Sequence, residues 1–413
     1  MANPPTDPDS PAPATVPLLT PSDGLPEVVD CPRMVVDAAA RLAAGSGPLA
    51  VDAERASGFR YSNRAYLLQF RRAGAGSILV DPIPMPGDLG PLAEVINPLE
   101  WVLHSADQDL PCLSELGLRP KSVYDTELAG RLAGFDRVGL AAIVERMLGF
   151  ELRKGHGAAD WSTRPLPESW LNYAALDVEI LVELRDAMAD ELERQGKSAW
   201  AAEEFEHVRS AGPPAPKPDR WRRTSKIHTV KDPRRLAIVR ELWTTRDEMA
   251  ARRDIAPSRV LPDSAIIAAA EADPRSAEDL RVLPVFGGPR QRRLSRTWLS
   301  AIERARALPK SELPPLTQPL TGPPPASRWS RHHPEAAARL TAARAEMTAI
   351  SETVHVPVEN LVGPELVRRL CWDWDPAPGI DTTDYIATRF ADGGARSWQR
   401  ELVAPRLAKV LTA

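Results

Sequence analysis

Asp52 and Glu54 stand two residues apart at the end of an apolar run, GPLAVDAE (47–54). On a strand, residues i and i+2 share a face, so this spacing sets two carboxylates side by side. Beside a core they repel each other and lose solvation unless a cation holds them. A strand that simply ends at the surface leaves the same pattern. Asp107 and Asp109 open a helical stretch after EWVLHSA (100–106). Acids there complement the helix N-terminus, and two residues apart on a helix they face different ways. Asp107 is the better cap, and Asp109 the better partner for Asp52 and Glu54. Tyr173 and Asp177, in NYAALDVEIL, lie one helical turn apart on a shared face. A half-buried tyrosine beside a solvated aspartate has the same spacing. Taken together, the four acids suit hard cations bound through oxygen, magnesium or manganese.

The surrounding elements decide whether these residues can meet. GPLAVDAE, RAYLLQFRR (64–72) and SILVDPI (77–83) read as a small antiparallel meander, with Gly74 and Gly76 at one turn. EWVLHSA and KSVYDT (121–126) read as further strands. Helical patterns follow over 127–149 and, as one long helix, over 167–195. Strands alternating with helices after a meander give an α/β domain with a mixed sheet.

Proline divides the 413-residue chain, at 42 residues overall and densest in 1–26, 213–218 and 309–325. Such density blocks helix interiors and sheet ladders. The expected organisation is a disordered tail (1–26), an α/β domain (27–212), a linker (213–219), a helical domain (220–308), a second linker (309–326) and a last helical domain (327–413). The two helical blocks resemble each other. Arg246, Glu248, Met249, Pro257, Leu261 and Ile266 in one answer Arg344, Glu346, Met347, Pro357, Leu361 and Leu366 in the other. An internal duplication of a small helical module is expected, although two Ala/Arg-rich helices would share such a pattern by chance.

Three scattered cysteines, Cys31, Cys112 and Cys371, exclude a disulfide scaffold and any CxxC zinc site, and fit a reducing compartment. No apolar run is long enough to span a bilayer, and the N-terminus lacks a basic signal-like region. A cytoplasmic monomer without membrane contact is expected. The net charge of −4 argues against a uniformly basic coat. Residues 217–260 nevertheless hold 13 Lys and Arg against 6 Asp and Glu. There Trp221 is interleaved with Arg222 and Arg223, a pattern that suits phosphates and an unpaired base. GGPRQRRLSR (287–296) sets Arg290, Arg292 and Arg293 beside glycines that expose backbone N–H groups. A solvated charged face would have the same composition.

Asp-x-Glu on a strand, an Asp opening a later helix and Tyr-x-x-x-Asp on a final helix follow the order of the DEDD exonucleases, in their tyrosine-containing branch. VDAERASGFRYSNRAYLLQF, VLHSADQDL, VYDTELAGRLAG and DWSTRPLPESWLNYAALDVEIL resemble the ribonuclease D family, and the helical blocks resemble the HRDC module. The similarity spans about 25–413, and the third block matches least well. It implies a ribonuclease H-like mixed sheet followed by two all-α HRDC-like domains.

The resemblance further implies a two-metal 3′→5′ exoribonuclease that releases nucleoside 5′-monophosphates from tRNA precursors or other structured RNA. Asp52 would bridge both ions, Glu54 and Asp177 would hold the ion on the water side, Asp109 would support the second, and Tyr173 would orient the attacking water. Arg164 becomes a candidate phosphate contact. Asp160 and Trp161 belong to the scaffold, and His104 is a packed or surface histidine. Two other readings stay open: a 3′→5′ exonuclease acting on DNA, and a non-catalytic nucleic-acid-binding adaptor.

Overall fold

The computed structural model describes residues 15–152, 155–212, 218–317 and 322–412. The first folded unit is built on a six-stranded mixed sheet in the order β2-β5-β4-β3-β6-β7. After a short β1 (Val16–Leu18) come β2 (Val28–Val29), α1 (Pro32–Ala44), β3 (Ser46–Arg55), β4 (Ala65–Ala73) and β5 (Gly76–Val80). Then follow α2 (Gly90–Ile96), β6 (Glu100–Leu103), α3 (Ala106–Glu115), β7 (Ser122–Asp125), α4 (Thr126–Leu132), α5 (Leu140–Leu148) and β8 (Phe150–Leu152). The unit closes with α6 (Glu168–Glu179), α7 (Leu181–Arg194) and α8 (Ser198–Ser210). β3, β4 and β5 form the expected antiparallel meander, and β6 and β7 join in parallel. β3 is therefore central. Its odd-numbered residues Leu49, Val51 and Ala53 bury in one core, and its even-numbered face carries Asp52 and Glu54.

Two expected boundaries change. The run over 167–195 is not one helix: it breaks at Ile180 (φ −117°), immediately after the buried Glu179. Apolar spacing continues through the break, so periodicity alone does not reveal it. The expected tail is ordered from residue 15 on, because β1 pairs in parallel with β8; residues 1–14 lie outside the described residues. Pro17 is tolerated because, among the described residues, β1 pairs with β8 alone and leaves its other edge without a strand. The linker stretches 213–217 and 318–321 also lie outside the described residues.

The two helical blocks share their opening order, a 21-residue helix, a four-residue helix and one of nine or ten residues, and then differ, with two five-residue helices before the closing helix in one and a single 11-residue helix in the other. α9 (Pro233–Arg253), α10 (Pro257–Val260) and α11 (Asp263–Ala272) are followed by α12 (Ala277–Arg281), α13 (Pro289–Arg293) and α14 (Ser295–Ala307). In the last block, α15 (Trp329–His332) leads into α16 (Pro334–Val354), α17 (Val358–Leu361), α18 (Pro364–Trp372), α19 (Thr382–Asp392) and α20 (Ser397–Leu411). α9 and α16 are both 21 residues long, and each ends on a residue in the left-handed region, Asp254 (φ 48°) and His355 (φ 52°). Both corners dock on the α/β unit. The Asp254 carboxylate accepts from the Tyr61 and Ser62 amides, the Arg64 guanidinium and the Tyr66 hydroxyl at 2.9–3.2 Å. The His355 carbonyl lies so close to Gly134 (φ 79°) that a Cβ there would come within 2.4 Å.

The last block does more than dock. Its core is continuous with that of α4, α5, α7 and α8, whereas the middle block encloses a core of its own. Trp398 stacks on Trp200 at 4.7 Å and donates its indole N–H to Glu204 at 2.9 Å. The 27–212 segment is thus not closed by itself. Truncating a buried tryptophan costs about 3–5 kcal/mol. Trp398→Ala is expected to lower the denaturant midpoint of the α/β unit together with that of the last block, giving one transition when far-UV circular dichroism and Trp fluorescence are compared.

Candidate active site

β3, the turn after β6, α3, α5, β8 and α6 line a cavity of about 350 Å³. Asp52, Glu54, Asp109, Tyr173 and Asp177 all line it. Carboxylate oxygens of Asp52, Glu54 and Asp177 lie within 4.8 Å of one another. Asp109 enters from the first turn of α3, where a carboxyl hydrogen bond joins it to Asp52. The Tyr173 hydroxyl lies beside Asp177, one turn along α6, and the two perturb each other's titration.

Asp107 is exposed and makes no cap. The α3 N-terminus is held instead by Asp125 of β7, which accepts from the Ser105 and Ala106 amides at 3.1 and 2.8 Å. Those bonds hold Ser105 in the left-handed region (φ 65°) and so aim the first turn, with Asp109 inward. Asp125 also caps α4 through the Glu127 and Leu128 amides. Reading Asp107 as the cap is therefore corrected: the capping group arrives from a neighbouring strand.

The electrostatics are those of a site built for cations. Burial raises Asp52, Asp109 and Asp177 above the ordinary carboxylate range, and their mutual charge adds to this for Asp109 and Asp177. Burial, then the charges of Asp52, Asp177 and Asp109, pushes Glu54 up to about 10. The Tyr173 phenol is raised as well, by burial and then by Asp177 and Glu54, so it stays protonated. Burial lowers His104 to about 4, and its Nδ1 pairs with the Thr126 hydroxyl at 2.9 Å. It is a neutral, packed histidine at pH 7.

Among the described residues, one cationic side chain enters the cluster. Arg55 Nη2 lies 3.2 Å from Asp109 Oδ1. Strict alternation would send Arg55 to the opposite face from Glu54, but the β3–β4 register shifts between these two residues. Such a bulge re-aims a side chain, which is why spacing alone missed Arg55. A guanidinium on Asp109 shows that this carboxylate accepts a positive partner. Gly155 and Gly157 were also missed. A Cβ at Gly155 would stand 2.0 Å from the Tyr173 ring, and one at Gly157 would stand 3.5 Å from its hydroxyl. The His156 ring lies edge-on to Tyr173 at 5.9 Å. The Gly-His-Gly string was the signal for this close approach.

A pH prediction follows from the raised carboxyls. In the metal-free protein, Glu54 keeps its proton to about pH 10, whereas unfolded it loses it near 4.5. The folded state then binds more protons than the unfolded state, so stability falls as pH rises through that window. Melting of metal-free protein is expected at lower temperature at pH 8.5 than at pH 6. Saturating Mn²⁺ is expected to flatten the difference, because the cation replaces the proton. Calorimetry with and without chelator measures both.

The candidate nucleic-acid contacts fare unevenly. Arg164 is corrected: its guanidinium grips both Asp81 oxygens at 2.6 and 2.8 Å and donates to the carbonyls of Tyr66, Trp161 and Thr163. With Asp160 and the fully buried Trp161 it braces the scaffold. Trp221 is corrected too. It is 5% exposed, in the core of the middle block, and donates to Asp219. Arg222 lies over its ring at 4.4 Å and donates to the Pro315 carbonyl, so neither offers a face to a base. Arg223, Arg290, Arg292 and Arg293 are exposed, although Arg290 also donates to the Arg259 carbonyl.

A central strand and two helices that converge four carboxylates and a tyrosine, in a mixed α/β domain followed by helical modules, define a 3′-5′ exonuclease. Residues 26–193 match the family model described as 3′-5′ exonuclease, residues 235–302 the HRDC domain, and residues 322–411 the 3′ to 5′ exonuclease C-terminal domain. The chain belongs to the ribonuclease D family. It is 30% identical to the ribonuclease D of Granulibacter bethesdensis over 304 residues, 72% of this chain and 74% of that one. It is 28% identical to that of Nitrobacter hamburgensis over 334 residues, 79% and 80% of the two chains. A solved structure of a protein from Bifidobacterium adolescentis superposes with a TM-score of 0.90 at 39% identity, covering 97% of this chain and all of that one. Escherichia coli RNase D shares the fold at a TM-score of 0.67 and 24% identity, covering 94% of this chain and 98% of that one. The last block shares only its opening helices with the HRDC block and matches a separate family model.

Proposed function

We propose that this enzyme removes nucleoside 5′-monophosphates one at a time from the 3′ end of RNA, using two divalent ions, Mg²⁺ or Mn²⁺. The observation that carries the reading is the convergence of Asp52, Glu54 and Asp177 within 4.8 Å, with Asp109 bonded to Asp52. This donor set fits hard divalent ions. Asp52, Glu54 and Asp177 would hold one ion, and Asp52 with Asp109 the other. When bound, such ions activate water and neutralise charge on the reacting phosphate.

The chain's own groups do the rest. Tyr173 keeps its proton at working pH, so it orients the attacking water through its hydroxyl and does not serve as a base. Arg55 balances Asp109 until a stronger cation takes that carboxylate. His104 is neutral and contributes packing to the cavity wall. The choice of RNA follows the relatives named ribonuclease D, and E. coli RNase D is described as an exoribonuclease involved in structured RNA processing. We place tRNA precursors or other structured RNA 3′ ends as substrates. No described helix is long and apolar enough to cross a membrane, and the three cysteines are free, which suits a cytoplasmic enzyme.

Product analysis tests the polarity. RNA labelled at its 3′ end is expected to yield labelled mononucleotide in the first turnover, and 5′-labelled RNA a descending ladder. Labelled mononucleotide first from the 5′ end would reject the assignment. The exposed arginines carry a separate expectation. Each lost phosphate contact flattens the salt slope of single-strand binding by about 0.7. Arg223→Ala, Arg292→Ala and Arg293→Ala together are expected to weaken RNA binding and flatten its dependence on salt, with little change in the rate on bound RNA. Filter binding across a KCl series, in an Asp52→Asn background, measures it.

A further inference from the structure

We propose that residues 15–26 form a strap that positions Tyr173 for catalysis. This rests on the reading of Tyr173 as the group that orients water. The strap is attached at three places, and together they bracket that side chain. First, β1 pairs with β8 from Val16↔Phe150 to Leu18↔Leu152, and the Val16 amide donates to the Gly149 carbonyl at 3.0 Å. β8 leads to Gly155 and His156, which flank the Tyr173 ring. Second, the Leu19 carbonyl accepts from Asn172 Nδ2 at 2.9 Å, one residue before Tyr173. Third, the Ser22 amide and hydroxyl donate to Glu179 Oε1 at 3.1 and 2.5 Å, two residues beyond Asp177.

The third attachment is reinforced. Arg71 of β4 reaches Glu179 Oε2 at 3.1 Å and, from the same nitrogen, Asp23 Oδ2 at 3.1 Å. Pro21 is buried between the second and third points. The strap thus ties the wall before Tyr173 to both ends of the roughly two turns of α6 that carry Tyr173 and Asp177. The strap adds polar ties to the direct packing of Gly155 and His156 on Tyr173 and of His156 on Trp170. A hydroxyl that must aim a water is sensitive to small shifts, because misplacing a reacting group by about 1 Å can cost 10²-fold in rate.

The test uses the full-length protein carrying Ser22→Ala with Asn172→Asp, which removes the Ser22 hydroxyl donor and replaces the amide donor to Leu19 with a carboxylate. Single-turnover release from 3′-labelled RNA is measured at saturating Mn²⁺, and affinities for RNA and Mn²⁺ are measured separately by titration calorimetry. The rate is expected to fall about tenfold or more, with both affinities within about twofold of wild type. In a Tyr173→Phe background the same pair is expected to cost less than about twofold further, since both changes act on one group. A wild-type rate for the pair, or a loss that multiplies in full on Tyr173→Phe, overturns the strap. Tyr173→Phe that itself keeps the wild-type rate overturns the catalytic reading and the strap with it; a slow Tyr173→Phe beside a normal pair overturns the strap alone. Should the pair not fold by circular dichroism, Ser22→Ala alone goes through the same cycle under the same criteria.

Discussion

Asp52→Asn is expected to reduce turnover on the order of 10³-fold or more, the scale seen when a charge-stabilising group is removed from a reacting centre, while RNA binding stays near wild type. Asp52 is the carboxylate common to both halves of the site: it lies within the Asp52, Glu54, Asp177 cluster and is bonded to Asp109. Asparagine keeps its shape and removes its charge. The same change takes one like charge away from Glu54, Asp109 and Asp177, all of which it raises. Metal-free Asp52→Asn protein is therefore expected to melt at a higher temperature than wild type at pH 8. Lost activity with gained stability separates a catalytic defect from a folding defect. Retained turnover would remove the site assignment, and a lower melting temperature would mean that the carboxylate is structurally satisfied without a cation.

The second large effect separates two neighbours. Asp109→Asn is expected to cost about 10²–10³-fold in rate, and Asp107→Asn less than about twofold, because Asp107 is exposed and does not line the cavity. Asp109 is 4% exposed, bonded to Asp52 and paired with Arg55, whereas Asp107 is exposed on the same turn. Initial rates on one labelled RNA across a Mn²⁺ series measure both variants, and the Asp109 variant is expected to require more metal for half-maximal rate. Equal losses in the two variants would mean that α3 as a whole, not the Asp109 carboxylate, is what the reaction needs.

The acidic pairs were legible because their geometry is local. A period of two places Asp52 with Glu54, and a period near 3.6 places Tyr173 with Asp177, whatever the rest of the chain does. The mixed sheet was legible for the same reason, whereas the last block, expected to be HRDC-like, matches the 3′ to 5′ exonuclease C-terminal domain. What sequence did not reveal depends on contacts distant along the chain. Asp125, about 20 residues away, caps α3 and displaces Asp107 from that role. A bulge turns Arg55 inward. The tail composition around Pro17 and Pro21 suits disorder, yet β8 and Glu179 give it partners. Trp221 sits among arginines in sequence and inside a core in space, because a short turn at Arg220–Arg223 points the ring inward and the arginines outward or over it. The 27–212 boundary followed the prolines, whereas the core passes across them to Trp398.

Matched RNA and DNA oligonucleotides of one sequence, labelled at the 3′ end and incubated with the full-length protein in Mg²⁺, Mn²⁺ or chelator, test the exoribonuclease assignment most directly. Mononucleotide release from RNA in either metal, abolished by chelator and much slower on DNA, is the expected result. Preferred release from DNA, or no release from either strand with metal present and the protein folded, would contradict it.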